Sequence, residues 1–470
     1  MDAEVTDRAG TPTGPEGSDD AAGEPTGEKA SGEASGETGE AEGRTAPDPA
    51  PGPAREDASP TPDTTTDDAT ERAERAERVA DDAPAAPRRK RRWLRWTALA
   101  VSVVLLGGAA TTWWFYRKLE GNITTDTATA VELRTHEKER PVPISLDAKN
   151  ILLMGSDTRR GEGNSKYGRD DGGSQRADTV ILLHIAADRQ SSTSVSIPRD
   201  LMTTVPSCRR PDGTRSREQL AQFNSAFELG GAACTIRTVE LMTGIRIDHH
   251  LVVDFRGFTD MVDAVDGVEV CLKEPVDDPD AHLVLPSGRQ KLDGAEALGY
   301  VRARKSIGNG SDTERMDRQQ QFLGSLVKKV QSDGVLLNPG KLYPVLDAAT
   351  KSLTTDPGLD SLKELYDLTR SLRSIPTENI QFLTVPRRPW VNNINRDELV
   401  QPQATDLFRQ LREDTPITVL ARGNGKTERI SAPGTSPSGS PSGSPTGSPS
   451  GSPTGSPGFA GTNAAVGVCD

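Results

Sequence analysis

The stretch Thr179-Val180-Ile181-Leu182-Leu183-His184-Ile185, followed by Ala186-Ala187-Asp188-Arg189-Gln190 and then by Ser194-Val195-Ser196-Ile197, decides the architecture. Two apolar runs joined by a short turn predict a hairpin, and runs this continuously apolar predict strands covered on both faces. Further strands are expected at 150–155, 250–255 and 268–272, with amphipathic stretches at 217–229, 235–242, 258–265, 294–302, 313–330 and 361–372 alternating with them. Strands interleaved with helices give a three-layer α/β/α fold, and the hairpin makes its central sheet mixed. A strand at 379–385 and a helix at 405–411 complete one domain, expected over residues 146–422.

Outside that domain the chain changes character. Residues 1–87 carry 23 acidic against 7 basic side chains, a net of −16 against −13 for the whole chain. Rich in Ala, Gly, Pro, Thr and Glu, this segment cannot bury enough apolar surface to offset its ordering entropy and reads as a disordered tail. Its charge repels nucleic acid, which argues against direct transcriptional control. Residues 96–116 then run for 21 positions without a charge. As a helix they cover roughly 31 Å, enough for the hydrocarbon core of a lipid bilayer.

Arg88-Arg89-Lys90-Arg91-Arg92 precedes this run and Arg117-Lys118 follows it, with Trp93, Trp96, Trp113 and Trp114 at its flanks. The bias predicts a single-pass cell-membrane protein: basic flank and helix at 88–118, N-terminus cytoplasmic, a linker at 119–145 and the large domain outside. Ser-Pro-Ser-Gly and Ser-Pro-Thr-Gly repeats over 436–457 make residues 423–470 read as a second disordered tail.

Within the domain, charged residues gather where the apolar runs begin and end. Gly155-Ser156-Asp157-Thr158-Arg159 closes one run, Arg176-Ala177-Asp178-Thr179 opens the next, and Ser196-Ile197-Pro198-Arg199-Asp200 closes a third; Arg302-Ala303-Arg304 and Arg315-Met316-Asp317-Arg318-Gln319 come later. Singly, each has an ordinary reading: an Asx turn for Asp157, solvated surface charges for Arg302 and Arg304, one face of a charged helix for Arg315 and Arg318. As an ordered set they suit a metal and a pyrophosphate. Breaking a pyrophosphate diester gathers negative charge on the leaving oxygen, so the protein's task is neutralisation and positioning. Guanidinium forks match phosphate oxygens, and two carboxylates with waters form a usual shell for Mg²⁺. Asp157 and Asp178 are therefore expected to hold Mg²⁺ or Mn²⁺, with the arginines as a clamp. Asp200 is either a base or a turn residue. His249-His250 has no ligand-spaced partner and does not read as a zinc site.

The order and spelling of these pieces resemble the LytR-CpsA-Psr family of membrane-anchored cell-wall enzymes. The resemblance covers about 150–330 and includes Asn224-Ser225-Ala226-Phe227, Val265-Asp266-Gly267-Val268, Leu292-Asp293-Gly294-Ala295-Glu296-Ala297-Leu298 and Tyr300-Val301-Arg302-Ala303-Arg304. It implies transfer of a glycopolymer-1-phosphate, such as teichoic acid, from a polyprenyl-pyrophosphate carrier to a peptidoglycan hydroxyl, with the prenyl tail in an apolar tunnel. By the same resemblance Asp157 and Asp178 match the metal-binding acids. Arg176, Arg199, Arg302, Arg304, Arg315 and Gln319 match the pyrophosphate site, with Asp178, Arg199, Arg302 and Arg304 at its catalytic centre. Two departures stand out: Gln222 occupies a position where many relatives carry Lys, so that one positive contact is either missing or supplied by Arg217, and an insertion at 161–174 separates Asp157 from Asp178.

A lipid-pyrophosphate hydrolase and a non-catalytic receptor or regulator for lipid-linked glycans are the competing readings. Cys208, Cys234, Cys271 and Cys469 all fall on the oxidising side of the expected membrane. Four cysteines allow three full pairings, and the sequence does not choose among them, though Cys208 and Cys234 flank a loop and a helix and suit a structural bridge.

Overall fold

The computed structural model describes residues 88–157, 176–304, 306–308, 310–332, 339–421, 428–429 and 458–466. The acidic segment 1–87, the insertion at 161–174 and the repeats at 436–457 lie outside the described residues.

The chain opens with helix α1 (Arg88–Glu120), strand β1 (Thr124–Thr125), helix α2 (Thr127–Thr135) and strands β2 (Lys149–Ser156), β3 (Ala177–Ile185), β4 (Ser192–Ile197), β5 (Met202–Val205) and β6 (Gln219–Gln222). It continues through α3 (Ser225–Thr243), β7 (His249–Val253), α4 (Phe255–Ala264), β8 (Val268–Leu272), β9 (Val276–Asp278), β10 (Leu283–Leu285), β11 (Gly288–Leu292) and α5 (Gly294–Arg302). Then come α6 (Asp312–Ser332), α7 (Pro339–Ser352), β12 (Leu353–Thr355), α8 (Leu362–Arg373), β13 (Ile380–Thr384), β14 (Arg387–Trp390) and β15 (Asn393–Leu399). Helix α9 (Gln403–Arg412) and strands β16 (Thr418–Ala421), β17 (Glu428–Arg429) and β18 (Gly458–Asn463) finish it.

Ten of these strands form one sheet in the order β1-β12-β7-β2-β3-β4-β13-β18-β16-β17. Strands β2, β3 and β4 pair antiparallel, while β7 lies parallel to β2 and β13 parallel to β4, so the sheet is mixed. Alternation along β2 sends Leu152 and Met154 to one face and Ile151 and Leu153 to the other. On the first face they meet Phe227, Ile236 and Val239 of α3 and Leu407, Phe408 and Leu411 of α9. On the second they meet Leu323 and Val327 of α6 and Leu368 and Leu372 of α8. That is the expected α/β/α arrangement. A separate core beside it joins α4, α5 and β8 through β11 to Phe322 of α6.

Among the described residues one helix, Arg92–Glu120, is long and apolar enough to cross a membrane. Its last turns are seated on the domain: Leu119 is buried, Phe115 meets Tyr343 edge-on at 5.1 Å, and Asn122 just beyond donates to Asp347 at 3.2 Å.

Several expectations need correction. The first part of the helix expected over 217–229 is not helical: Gln219–Gln222 pairs with β5, and α3 begins only at Ser225. Strand pairing there overrides the local helical pattern. The helices expected over 217–229 and 235–242 are replaced by one element kinked at Gly230 and Gly231. The run at 268–272 is a strand, but it pairs with β11 outside the main sheet; the run at 250–255 stops at Val253, because Asp254 caps α4 by accepting from Gly257 at 2.7 Å. Finally, the tail assigned to 423–470 contains β18, inserted between β13 and β16. Phe459 is buried in the core there, and Asn463 donates to the Glu378 carbonyl at 3.3 Å, so a short segment after the repeats finds a sheet edge to complete.

Candidate active site

The site is assembled from strand ends on one side and two helix ends on the other. Along β2 and β3, Gly155 pairs with Thr179 but Ser156 pairs with Ala177, which leaves Asp178 as the extra residue of a bulge. A bulge re-aims its side chain, and Asp178 lines a cavity of about 520 Å³. Asp157 follows Ser156 directly; its carboxylate accepts the Arg176 backbone N–H at 2.6 Å while its own N–H donates to the Arg176 carbonyl at 3.0 Å. The two acids expected to bind metal therefore sit at the adjoining ends of paired strands.

Arg199 lies in the turn after β4. Its Nη1 donates to Asp178 at 3.1 Å and its Nε to Asp200 at 3.2 Å, with Asp312 at 3.9 Å. The turn is clamped by the Asn224-Ser225-Ala226-Phe227 segment. Asn224 N–H donates to the Arg199 carbonyl at 3.0 Å, Phe223 N–H donates to that of Leu201 at 2.8 Å, and Phe223, Ala226 and Phe227 fill the core beneath. Burial works against the Arg199 charge, yet Asp178, Asp200 and Asp312 together hold its pKa above the ordinary arginine value.

Helix α5 delivers Arg302 and Arg304. Asp293 and Glu296 form a capping box at its start. Gly294 is required because a Cβ there would lie 2.4 Å from the Thr259 carbonyl, so α5 is locked against α4. Tyr300 and Ala303 point into the core, which leaves Arg302 and Arg304 on the cavity side, and the Arg302 guanidinium stacks 4.5 Å from the Phe255 ring centroid. Helix α6 is tied to this end through Arg318, which donates to Ala303, and Gln319, which donates to Val301 at 3.2 Å. Arg315 is almost fully buried and bonds Asp312 at 2.7 Å. Burial, reinforced by Arg304 and Arg199 and opposed by Asp312, pushes its pKa down to about 10, so it stays cationic at neutral pH.

The fold thus brings Asp178, Arg302, Arg304, Arg315 and Gln319 to one cavity, with Arg199 joined through Asp178. Arg176 stands apart: its Nε pairs with Glu228 of α3 at 3.2 Å, and it does not line this cavity. Behind the charged mouth the cavity is apolar, walled by Ile181, Leu251, Phe258, Met261, Phe322 and Leu326. Phe255 and Asp312 are site residues that sequence reasoning missed, although Asp312, one helical turn before Arg315, was within reach of the helix spacing rule. Gln222 donates to Asp200 at 2.7 Å, and Asp200 also pairs with Arg199 at 3.2 Å and Arg396 at 3.4 Å.

The LytR_cpsA_psr family model matches residues 119–413. The chain belongs to that family. Among curated LytR_cpsA_psr relatives, the cell wall biosynthesis protein LcpA of Corynebacterium glutamicum is 35% identical over 51% of this chain and 50% of its own length, and LcpB of the same organism is 38% identical over 49% and 54%. The chain thus spans about half the length of these two relatives. The polyisoprenyl-teichoic acid–peptidoglycan teichoic acid transferase TagU of Halalkalibacterium halodurans is 33% identical over 53% of this chain and 73% of its own length. A solved LytR-Csp2A-Psr enzyme from Actinomyces oris aligns with TM-score 0.44 and 23% identity over 58% of this chain and 93% of that one.

The donor set fits a hard cation. Two carboxylates at adjoining strand ends could offer oxygen ligands, and among the described residues no cluster of three or more His, Cys, Asp or Glu side chains forms a closed cage. Mg²⁺ is ordinarily held by one or two carboxylates plus substrate phosphates and water. Asp312, whose buried Oδ2 lacks a hydrogen-bond partner, belongs instead to the arginines, bonding Arg315 at 2.7 Å and standing 3.9 Å from Arg199.

Proposed function

We propose that this protein is a membrane-anchored phosphotransferase that moves a glycopolymer-1-phosphate from a polyprenyl-pyrophosphate carrier onto a peptidoglycan hydroxyl. The observation that carries the reading is one cavity whose charged residues include Asp178 and three arginines, Arg302, Arg304 and Arg315, and whose other walls, among them Phe258, Met261 and Phe322, are apolar. A pyrophosphate joined to a long hydrocarbon has that polarity. The TagU relative, named for the transfer of teichoic acid to peptidoglycan, supports the same class. The exposed apolar helix Arg92–Glu120 would anchor the chain with its N-terminus cytoplasmic and its domain outside, in keeping with the basic residues ahead of it.

In this mechanism Arg199, Arg302, Arg304 and Arg315 bind the pyrophosphate oxygens, and Gln319 holds the end of α5 in place. Asp157 and Asp178 would hold Mg²⁺ or Mn²⁺, which would supply charge neutralisation when bound. The acceptor hydroxyl oxygen attacks the phosphorus nearer the donor sugar. Its new P–O bond forms as the bond to the bridging oxygen breaks, polyprenyl phosphate leaves with that oxygen, and the hydroxyl proton passes to solvent or to a nearby carboxylate. Guanidiniums prearranged around the bridging oxygen stabilise the charge that gathers there.

The test is to incubate full-length protein in detergent with a polyprenyl-pyrophosphate glycan, Mg²⁺ and peptidoglycan fragments, beside Asp178→Ala. Glycan on the acceptor together with polyprenyl phosphate supports transfer. Polyprenyl phosphate without a modified acceptor supports a hydrolase, and tight binding without turnover supports a receptor.

A further inference from the structure

A second cavity of about 740 Å³ lies between α2, the loop closed by the Cys208–Cys234 disulfide, and the kink of α3. Ser156 and Asp254 line both this cavity and the charged mouth, so the two spaces meet at the C-terminal ends of β2 and β7. Its chemistry differs from that of the first. Thr127, Ser352 and Thr354 offer hydroxyls, Asp126 and Glu132 carboxylates, and Arg209 and Arg210 stand on the rim. Gly231, at φ 59° and ψ −149°, breaks α3 where it borders this space, a backbone state open to glycine almost alone.

Geometry at the phosphorus decides what belongs there. In phosphoryl transfer the attacking and leaving oxygens lie roughly in line. On the reading proposed above, on which this inference rests, the leaving polyprenyl phosphate occupies the apolar cavity, so the acceptor approaches across the mouth from the opposite side. The second cavity meets the mouth at Ser156 and Asp254. Its size lies within the usual range for pockets that hold small ligands, and its mixture of hydroxyls, carboxylates and guanidiniums suits sugar hydroxyls and a carboxylate rather than hydrocarbon.

We infer that this cavity is the acceptor subsite and takes an amino-sugar disaccharide of the glycan strand bearing a peptide carboxylate, with Arg209 and Arg210 at the carboxylate. Ala128 lines it from the exposed face of α2, where a larger side chain is compatible with the helix.

The experiment is calorimetric titration of the full-length protein in detergent with a soluble disaccharide-peptide from peptidoglycan, comparing the unaltered chain with Ala128→Trp and Arg210→Glu, which alter different walls. Farnesyl pyrophosphate serves as a separate probe of the other cavity. The inference predicts that the unaltered chain binds the disaccharide-peptide, that each variant binds it at least tenfold more weakly, and that farnesyl pyrophosphate affinity stays within twofold. No binding by the unaltered chain, or undiminished binding by both variants, overturns it. Binding that the variants weaken, with no transfer by the unaltered chain, upholds the subsite and removes the transferase reading instead.

Discussion

Arg199 reaches Asp178 at 3.1 Å across the one position where β3 slips out of register with β2. Without the bulge, the alternation of β3 would give residue 178 a different outlook, and the turn after β4 would lose its link to the strand end. The bulge therefore couples the expected metal ligand to an expected phosphate ligand, and the account predicts that altering either disturbs both.

Replacing Arg199 by Ala should lower kcat/KM for transfer at least tenfold, since a charged hydrogen bond is worth about 1.5–3 kcal/mol and each 1.4 kcal/mol is tenfold in rate. Arg199→Lys should recover only part of the loss, because an ammonium cannot span Asp178, Asp200 and a phosphate as a planar fork does. Steady-state kinetics on the purified variants, with thermal melts as the folding control, checks this. Near-normal rates for Arg199→Ala would argue against the clamp.

Chelation with EDTA should abolish turnover, and added Mg²⁺ should restore it. In Asp178→Asn the Mg²⁺ concentration for half-maximal activity should rise at least tenfold, on the order of the loss seen when an outer partner of a metal site is removed. A Mg²⁺ titration of unaltered and variant protein reads this directly, and an unshifted titration would remove Asp178 from the metal site.

Acid stability should depend on Asp126. Burial opposes its charge, but hydrogen bonds from His250 and Thr129 outweigh that and hold its pKa at about 2, below the ordinary aspartate value of 3.8. A carboxylate with a depressed folded-state pKa contributes stability above the unfolded value and loses it as pH falls through the folded one. Its contribution should therefore be complete above pH 3.8 and fade toward pH 2, and Asp126→Asn should flatten that part of the profile. Denaturant unfolding between pH 2 and pH 5 is the measurement.

The Cys208–Cys234 bridge closes a loop with a sequence separation of 26. Loop-closure entropy puts its contribution at about 3.5 kcal/mol. The double variant Cys208→Ala, Cys234→Ala should unfold at lower denaturant by a corresponding amount, and Arg209 and Arg210 should lose their fixed place at the second cavity. Cys271 is also disulfide-bonded, while Cys469 lies outside the described residues.

Most of the sheet was legible because its central strands are apolar on both faces. Ile151 through Met154 and Val180 through Ile185 leave little choice of role, and Asp293-Gly294-Ala295-Glu296 announces the start of α5 by its capping box. Gly458–Asn463 was not legible: six residues rich in glycine carry almost no periodicity, and only β13 and β16, both distant in sequence, give them partners. The charged site was legible as a set, since Asp178, Arg302, Arg304, Arg315 and Gln319 do converge. Its neighbours were not. Phe255 becomes a platform for Arg302 only once α4 and α5 pack together, and Arg396 reaches Asp200 from a hairpin nearly two hundred residues later in the chain. Arg176 shows the converse, a residue whose pairing with Glu228 depends on where α3 begins.

The most direct test of the central claim follows one labelled atom. A polyprenyl-pyrophosphate glycan carrying radioactive phosphorus at the position nearer the sugar is mixed with excess full-length protein, Mg²⁺ and peptidoglycan, and the label is traced through a single turnover. The account predicts that the label moves to peptidoglycan in step with release of unlabelled polyprenyl phosphate, and that Arg302→Ala slows both equally. Label released as a water-soluble glycan phosphate, or retained on the lipid, would contradict it.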